Sequence, residues 1–253
     1  MRYLFALLLV LLCAHPTSGQ TNVFGDAFTE AIDTTLASHV ATGNHGTPSW
    51  VLDIGSSMSA LATADGGDFV RATAGCATCS MWYTMTPSTA LGADYDVTLA
   101  LAASLSGQAD KDGFSINVRQ ADNANYYGCS FQGDTQQTFG IIERAAGVTA
   151  FLTGPSNITI MDGDIFICSI RGSTIKFKQN GVTIACVVDA TLSAAGSAAL
   201  GWGVATGVTA GADLNAAWHG DDLSVDDYTG LGGDDNCAGF NTVPTGMLTG
   251  VGR

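Results

Sequence analysis

The sequence predicts an all-β chain folded as a two-sheet antiparallel sandwich. Three observations predict it. The stretch from 163 to 189, GDIFICSIRGSTIKFKQNGVTIACVVD, reads as three strands joined by two-residue turns. Asn180-Gly181 is a strong type I′ hairpin signal, because that turn needs positive φ at both residues, and Gly172-Ser173 fits type II′. Alternation puts Phe166, Cys168, Ile170, Ile175, Phe177, Val182, Ile184, Cys186 and Val188 on one face. Lys176, Lys178, Thr183 and Ala185 fall on the other. A face so uniformly apolar needs a second sheet to cover it. The second observation is a series of similar short apolar runs along the chain, separated by turn residues. The third is composition: 32 glycines, only 5 prolines and no heptad pattern or internal repeat.

In chain order, the first element is a leader. Arg2 supplies a positive start, Leu4 to Cys13 an apolar run and Thr17-Ser18-Gly19 a small-residue cleavage region. Residues 1–19 therefore read as a secretory signal peptide, too short to span a bilayer as a helix. No later segment reaches transmembrane length, so no membrane insertion is expected. Residues 20–229 read as the sandwich. Expected strands are Val51–Met58, Phe69–Ala74, Ser80–Met85, Tyr95–Ala102, Phe114–Arg119, Tyr126–Phe131 and Phe139–Glu143. The three-strand meander follows, then Ala198–Val204 and Ala216–Val225. Ala31–Leu36 fits a short helical turn. Residues 230–253 are Gly-rich with little alternation and read as a tail without its own core, which Cys237 could pin to the sandwich.

The order of several motifs resembles concanavalin A-like (LamG-like) jelly-roll modules. These motifs are Phe24-Gly25-Asp26-Ala27-Phe28-Thr29, Leu36-Ala37-Ser38-His39 through Trp50, and Asp112 to Arg119 followed by Asn125-Tyr126-Tyr127. The 163–189 meander and Asp221-Asp222-Leu223 complete the series. The resemblance spans about residues 22–228. It implies a two-sheet antiparallel jelly roll, often glycan-binding or adhesive. It also implies that the opening strand with Asp26 meets the closing strand with Asp221 and Asp222. Those carboxylates would then form a structural calcium site, since calcium takes six to eight oxygens. The alternative is three aspartates serving turns and caps.

On the strand from Phe114 to Arg119, period 2 turns Phe114, Ile116 and Val118 inward and Ser115, Asn117 and Arg119 outward. Asn117, Arg119, Tyr127, Glu143 and Trp82 are thus candidate glycan ligands on an open sheet face, combining stacking with hydrogen bonding. The plain alternative is a solvated face with Arg119 and Glu143 as a cross-strand ion pair. Trp50, Trp202 and Trp218 read as core. Six cysteines remain after the leader: Cys76, Cys79, Cys129, Cys168, Cys186 and Cys237. An even number in a secreted chain points to disulfides, with connectivity open. Strand spacing forbids one pair: Cys168 and Cys186 lie on the outer strands of the meander, about 10 Å apart. Cys76-Ala77-Thr78-Cys79 lacks the context of a redox or zinc site. Asn157-Ile158-Thr159 is a glycosylation sequon, with Asn157 the acceptor.

The net charge is −14, with lysine only at 111, 176 and 178. Nucleic-acid binding, which requires phosphate neutralisation, is excluded. Glutamate occurs only at 30 and 143, and no E-x-D-x-x-E strand is present. The paired carboxylates of a retaining glycosidase are therefore absent from the sequence pattern. The leading expectation is a secreted, non-catalytic module that binds a glycan or cell-surface polymer. The alternative is an extracellular structural subunit that assembles with itself, using the tail as an arm. A glycoside hydrolase or polysaccharide lyase is the third reading.

Overall fold

The computed structural model describes residues 21–28, 34–39, 49–54, 60–63, 69–72, 80–86, 91–101, 112–133, 138–154, 156–161, 163–204, 220–228 and 236–238. They form seventeen strands and one 3-10 turn, Leu36–Ser38. The early strands are β1 (Thr21–Asp26), β2 (Thr34–Thr35), β3 (Ser49–Ile54), β4 (Ala60–Thr63), β5 (Phe69–Ala72), β6 (Ser80–Thr86) and β7 (Tyr95–Leu101). The middle holds β8 (Asp112–Asp122), β9 (Asn125–Gly133), β10 (Thr138–Ala145), β11 (Val148–Phe151) and β12 (Ser156–Asn157). The meander is β13 (Ile165–Arg171), β14 (Thr174–Gln179) and β15 (Val182–Val188), and β16 (Ser197–Val204) and β17 (Gly220–Asp227) close the fold.

Two antiparallel sheets result. The back sheet runs β15-β14-β13-β7-β17-β5-β4-β2, with β1 also on β17. The front sheet runs β11-β10-β9-β8-β16-β6-β3, with β12 also on β10. The core lies between them. Phe114 and Phe131 of the front sheet stack at 5.2 Å, and Phe131 meets Phe166 of the back sheet at 4.9 Å. Offset ring contacts of this kind add to what burial alone contributes.

Local chemistry explains the turns. Asn180 and Gly181 have φ of 51° and 79°, as type I′ demands, and Gly172 has φ of 53°. Asn180 also donates to Asp164 and accepts from the Ile165 amide, which holds the turn to the start of β13. A further two-residue turn, Ala146-Gly147 (φ 48° and 81°), joins β10 to β11. The expected strands omitted β11, because Ala-Gly is a weaker hairpin signal than Asn-Gly.

Two bulges correct the expected faces. Between Phe177 and Lys178 the pairing of β14 with β15 slips by one residue. Alternation is broken there, so Ala185 sits opposite Phe177 in the core, and Cys186 sits opposite Lys176 on the outer face. Val182 and Val188 are exposed rather than buried. Cys186 is covered instead by Cys237, to which it is disulfide-bonded, so the tail is pinned to the sandwich. The second disulfide, Cys129–Cys168, crosses the core from β9 to β13. Cys168 is therefore bonded to a facing strand and not to Cys186, in keeping with the strand-spacing argument. Cys76 and Cys79 lie outside the described residues, as do residues 1–19, Trp218 and the side chain of Trp202.

The second bulge is in β8. Ala199 pairs with Asn117 and Ser197 with Gln120, so Val118 and Arg119 together oppose one residue of β16. Arg119 takes φ of 49°, and a Cβ on Gly196 would lie 2.6 Å from its carbonyl carbon. The extra residue advances the phase of the strand. Gln120, not Arg119, joins Ser115 and Asn117 on the outer face.

Candidate functional site

The bulge gives the front sheet a polar row on its outer face. Ser130 donates to Ser115 Oγ at 3.0 Å, and Ser115 donates to Asn117 Oδ1 at 2.7 Å. Asn117 Nδ2 donates to Gln120 Oε1 at 3.1 Å, and Gln120 Nε2 donates to Thr84 Oγ1 at 3.1 Å. Ser115, Asn117 and Gln120 are buried, while the terminal members Ser130 and Thr84 are half-buried. Gly128 makes room for the row, since a Cβ there would come within 2.6 Å of Ser115 Oγ. Beside the Ser130 end stands an aromatic ring. Phe151 of β11 leans over Gly140, which pairs with Ser130, and is 49% exposed. A half-exposed ring next to fixed polar groups can take the apolar face of a sugar while its hydroxyls hydrogen-bond alongside.

The expected ligand residues do not assemble as one site. Asn117 is in the row. Arg119 is 3% exposed and turned away from it, because of the bulge. Its guanidinium donates to Ala93 O at 3.0 and 2.9 Å, to Leu192 O at 3.0 Å and to Gly172 O at 2.6 Å, with Asp94 at 3.4 Å. It joins three loops and forms no ion pair with Glu143. Trp82 lies opposite Gly201 of β16 by register, and its side chain is outside the described residues. Tyr127 and Glu143 pair across β9 and β10 on the inner side, next to Val118, rather than on the open face. Phe151, Ser130, Gln120 and Thr84 are not among the residues that the sequence pattern singles out. Only an aromatic ending a weak strand, and a polar residue one place after the expected strand end, signalled them.

Tyr127, Glu143 and Asp189 form a partly buried cluster. The Tyr127 hydroxyl donates to Asp189 at 2.5 Å and accepts from the Leu192 amide. Asp189 also accepts from the Thr191 amide at 2.8 Å. Burial holds the Tyr127 phenol well above its ordinary value, and its bond to Asp189 adds to this. Burial also raises Glu143, helped by the Asp189 carboxylate and opposed by a hydrogen bond from Thr191. One Glu143 oxygen is buried without a hydrogen-bond partner. A carboxyl raised in the fold ionises at a cost there. Its stabilising contribution is full below the ordinary carboxylate pKa and is lost as pH rises through the raised value. Glu143→Gln is therefore expected to raise the melting temperature at neutral pH, with the gap closing below about pH 4. Parallel melting curves across pH 4 to 8 check this, and a gap independent of pH would contradict it.

A third constellation surrounds Asp26. Its carboxylate takes His39 Nε2 at 2.9 Å on both oxygens, Trp50 Nε1 at 2.8 Å and the Phe28 amide at 3.0 Å. Asp26 and His39 are 3% and 2% exposed. The strands that carry Asp26 and Asp222 do meet, as the resemblance implied. β1 does pair with β17, but Asp26 faces the core opposite Leu223 while Asp222 is exposed. The Asp221 side chain is outside the described residues. Among the described residues no three His, Cys, Asp or Glu side chains cluster as metal ligands. Asn157, the sequon residue, is exposed on β12.

No protein-family model matches the chain, and no curated protein matches it. Solved structures do. The CBM2 module of the evolved Dit of Lactobacillus casei BL23 phage J-1 aligns with a TM-score of 0.50 at 10% identity, over 82% of this chain and 95% of that one. Domain 4 of AbnA, a GH43 extracellular arabinanase from Geobacillus stearothermophilus, aligns at 0.46 and 13% identity, over 82% and 93%. A glycoside hydrolase family 16 endo-glucanase from Bacteroides ovatus aligns at 0.44 and 9% identity, over 80% and 97%. At such identities the likeness is one of fold. With two antiparallel sheets in this order, the chain is a jelly-roll β-sandwich.

Proposed function

We propose that the protein is a secreted, non-catalytic glycan-binding module that uses the outer face of the front sheet. The observation that carries the reading is Phe151, half exposed over Gly140 and beside the hydrogen-bonded row from Ser130 to Thr84. A sugar's apolar face is a fitting partner for a ring so placed. The disulfides Cys129–Cys168 and Cys186–Cys237 favour an oxidising compartment, in line with the leader-like residues 1–19. The solved neighbours include modules described as carbohydrate-binding, and this supports the reading as an analogy of fold. A structural calcium among Asp26, Asp221 and Asp222, and self-assembly through residues 230–253, are proposed as well. Chelator-dependent melting and sedimentation of the full chain test them.

Phe151→Ala is expected to weaken glycan binding about tenfold while leaving the melting temperature within a degree or two, since the ring is half exposed. Affinity electrophoresis in gels containing polysaccharide, followed by calorimetry, measures it. Unchanged retardation of the variant in a polysaccharide that retards the parent would move the site elsewhere.

One observation favours a second reading, catalysis. Glu143 and Asp189 are neighbouring carboxyls, and Glu143 is raised as a general acid would be. Against it, Asp189 is already engaged by Tyr127 and the Thr191 amide. Polysaccharide turnover that disappears in Glu143→Gln would establish this reading.

A further inference from the structure

One edge of the back sheet is open. Among the described residues β15 pairs only with β14, so alternate N–H and C=O groups of β15 point away from the sheet. Among the strands that end the two sheet orders, β15 has seven residues, β3 six, β11 four and β2 two. β15 is thus the longest, and its sequence, Val-Thr-Ile-Ala-Cys-Val-Val, holds no charge and no proline. Val182 and Val188 at its ends are 66% and 52% exposed. Edge strands of this composition recruit other strands, and folded proteins blunt or cover them.

A candidate cover is tethered to the strand itself. Cys237 is bonded to Cys186 of β15 with their Cα atoms 5.6 Å apart, close to the separation of residues opposite each other on paired strands. The described chain stops one residue later, at Ala238, and the sequence runs on to Arg253. Residues 239–253 reach about 50 Å when extended, and seven residues of strand need only about 23 Å. No acidic residue follows Asp235, and the only charged side chain after it is Arg253. Phe240, Thr242, Val243, Thr245, Thr249 and Val251 are aromatic or β-branched, as strands favour. Pro244 has no N–H and suits a strand only where that side faces solvent, as on a new outermost strand, whose edge it blunts.

We infer that residues 239–253 close the back sheet of their own chain by adding a strand along β15. The tether decides for the same chain over a second copy. A segment anchored on β15 meets it at an effective concentration on the order of millimolar, above that of free copies in ordinary solution. With Pro244 turned outward, alternation turns the Val243 N–H toward β15. The inference stands apart from the glycan-binding reading and competes with self-assembly through the same residues.

Hydrogen exchange of the disulfide-bonded chain, read at the amides of residues 182–188, tests it. The comparisons are a chain ending at Ala238 and the full-length variant Val243→Pro. Exchange at the outward amides of β15 is expected to be at least tenfold faster in both, with β14 unchanged. Sedimentation is expected to give the parent as a monomer. Circular dichroism checks that the shortened chain folds; if it does not, exchange in Val243→Pro decides. Equal exchange at 182–188 in the parent and the variants would overturn the inference. A dimeric parent that becomes monomeric on shortening would also overturn it and assign the segment to a neighbouring copy.

Discussion

Replacing Cys129 and Cys168 together by alanine is expected to destabilise the protein by about 4 kcal/mol. The bond closes a 39-residue separation between β9 and β13, and a loop of that size restricts the unfolded chain strongly. It also links the two sheets through the core, where both residues are fully buried. Urea unfolding of the double variant measures the loss as a fall in midpoint. A change under about 1 kcal/mol would mean that the packed aromatics around the bond carry the junction without it. The two disulfides should also differ under mild reductant. Cys186–Cys237 ends on a half-exposed residue and should open first, whereas Cys129–Cys168 should resist until the sandwich opens. Alkylation mapping against time follows the order.

Arg119→Ala is expected to cost about 4 kcal/mol, and Arg119→Lys about half as much. The guanidinium is buried and bonds the carbonyls of Ala93, Leu192 and Gly172, from three separate loops. Alanine leaves those acceptors without their donor. Lysine restores the charge but not the planar fork, so it cannot reach all three. The Arg119 amide also donates to Tyr95 Oη at 2.5 Å, a bond that neither variant removes and that keeps the bulge in place. Chemical unfolding with intact secondary structure by circular dichroism measures both. Equal stability of Arg119→Lys and the parent would show that the charge alone, held near Asp94, is what matters.

Most of the frame is legible in the local pattern of residues. The alternation in 163–189 and its two turns specify the meander, because side-chain period and positive-φ turns are local properties. The strands expected at Ser80, Tyr95, Phe114, Tyr126, Phe139 and Ala198 begin within two residues of the observed ones. The meeting of β1 with β17 was implied by the resemblance to jelly-roll modules. The spacing argument that separated Cys168 from Cys186 was likewise a matter of strand geometry. Where alternation breaks is set by contacts between strands. A bulge is set by the partner strand, as Gly196 crowding Arg119 illustrates, and nothing in β8 alone announces it. That single slip sends Arg119 into three loops and brings Gln120 into line with Asn117. The same holds for β15, where a slip turns Cys186 outward to meet Cys237. Phe151 became a candidate only when its ring was found over Gly140, two strands from the row it completes. Disulfide partners and ligand faces depend on which strands are neighbours across the sheet and across the core. Those are contacts between distant parts of the chain, and local periodicity holds no record of them.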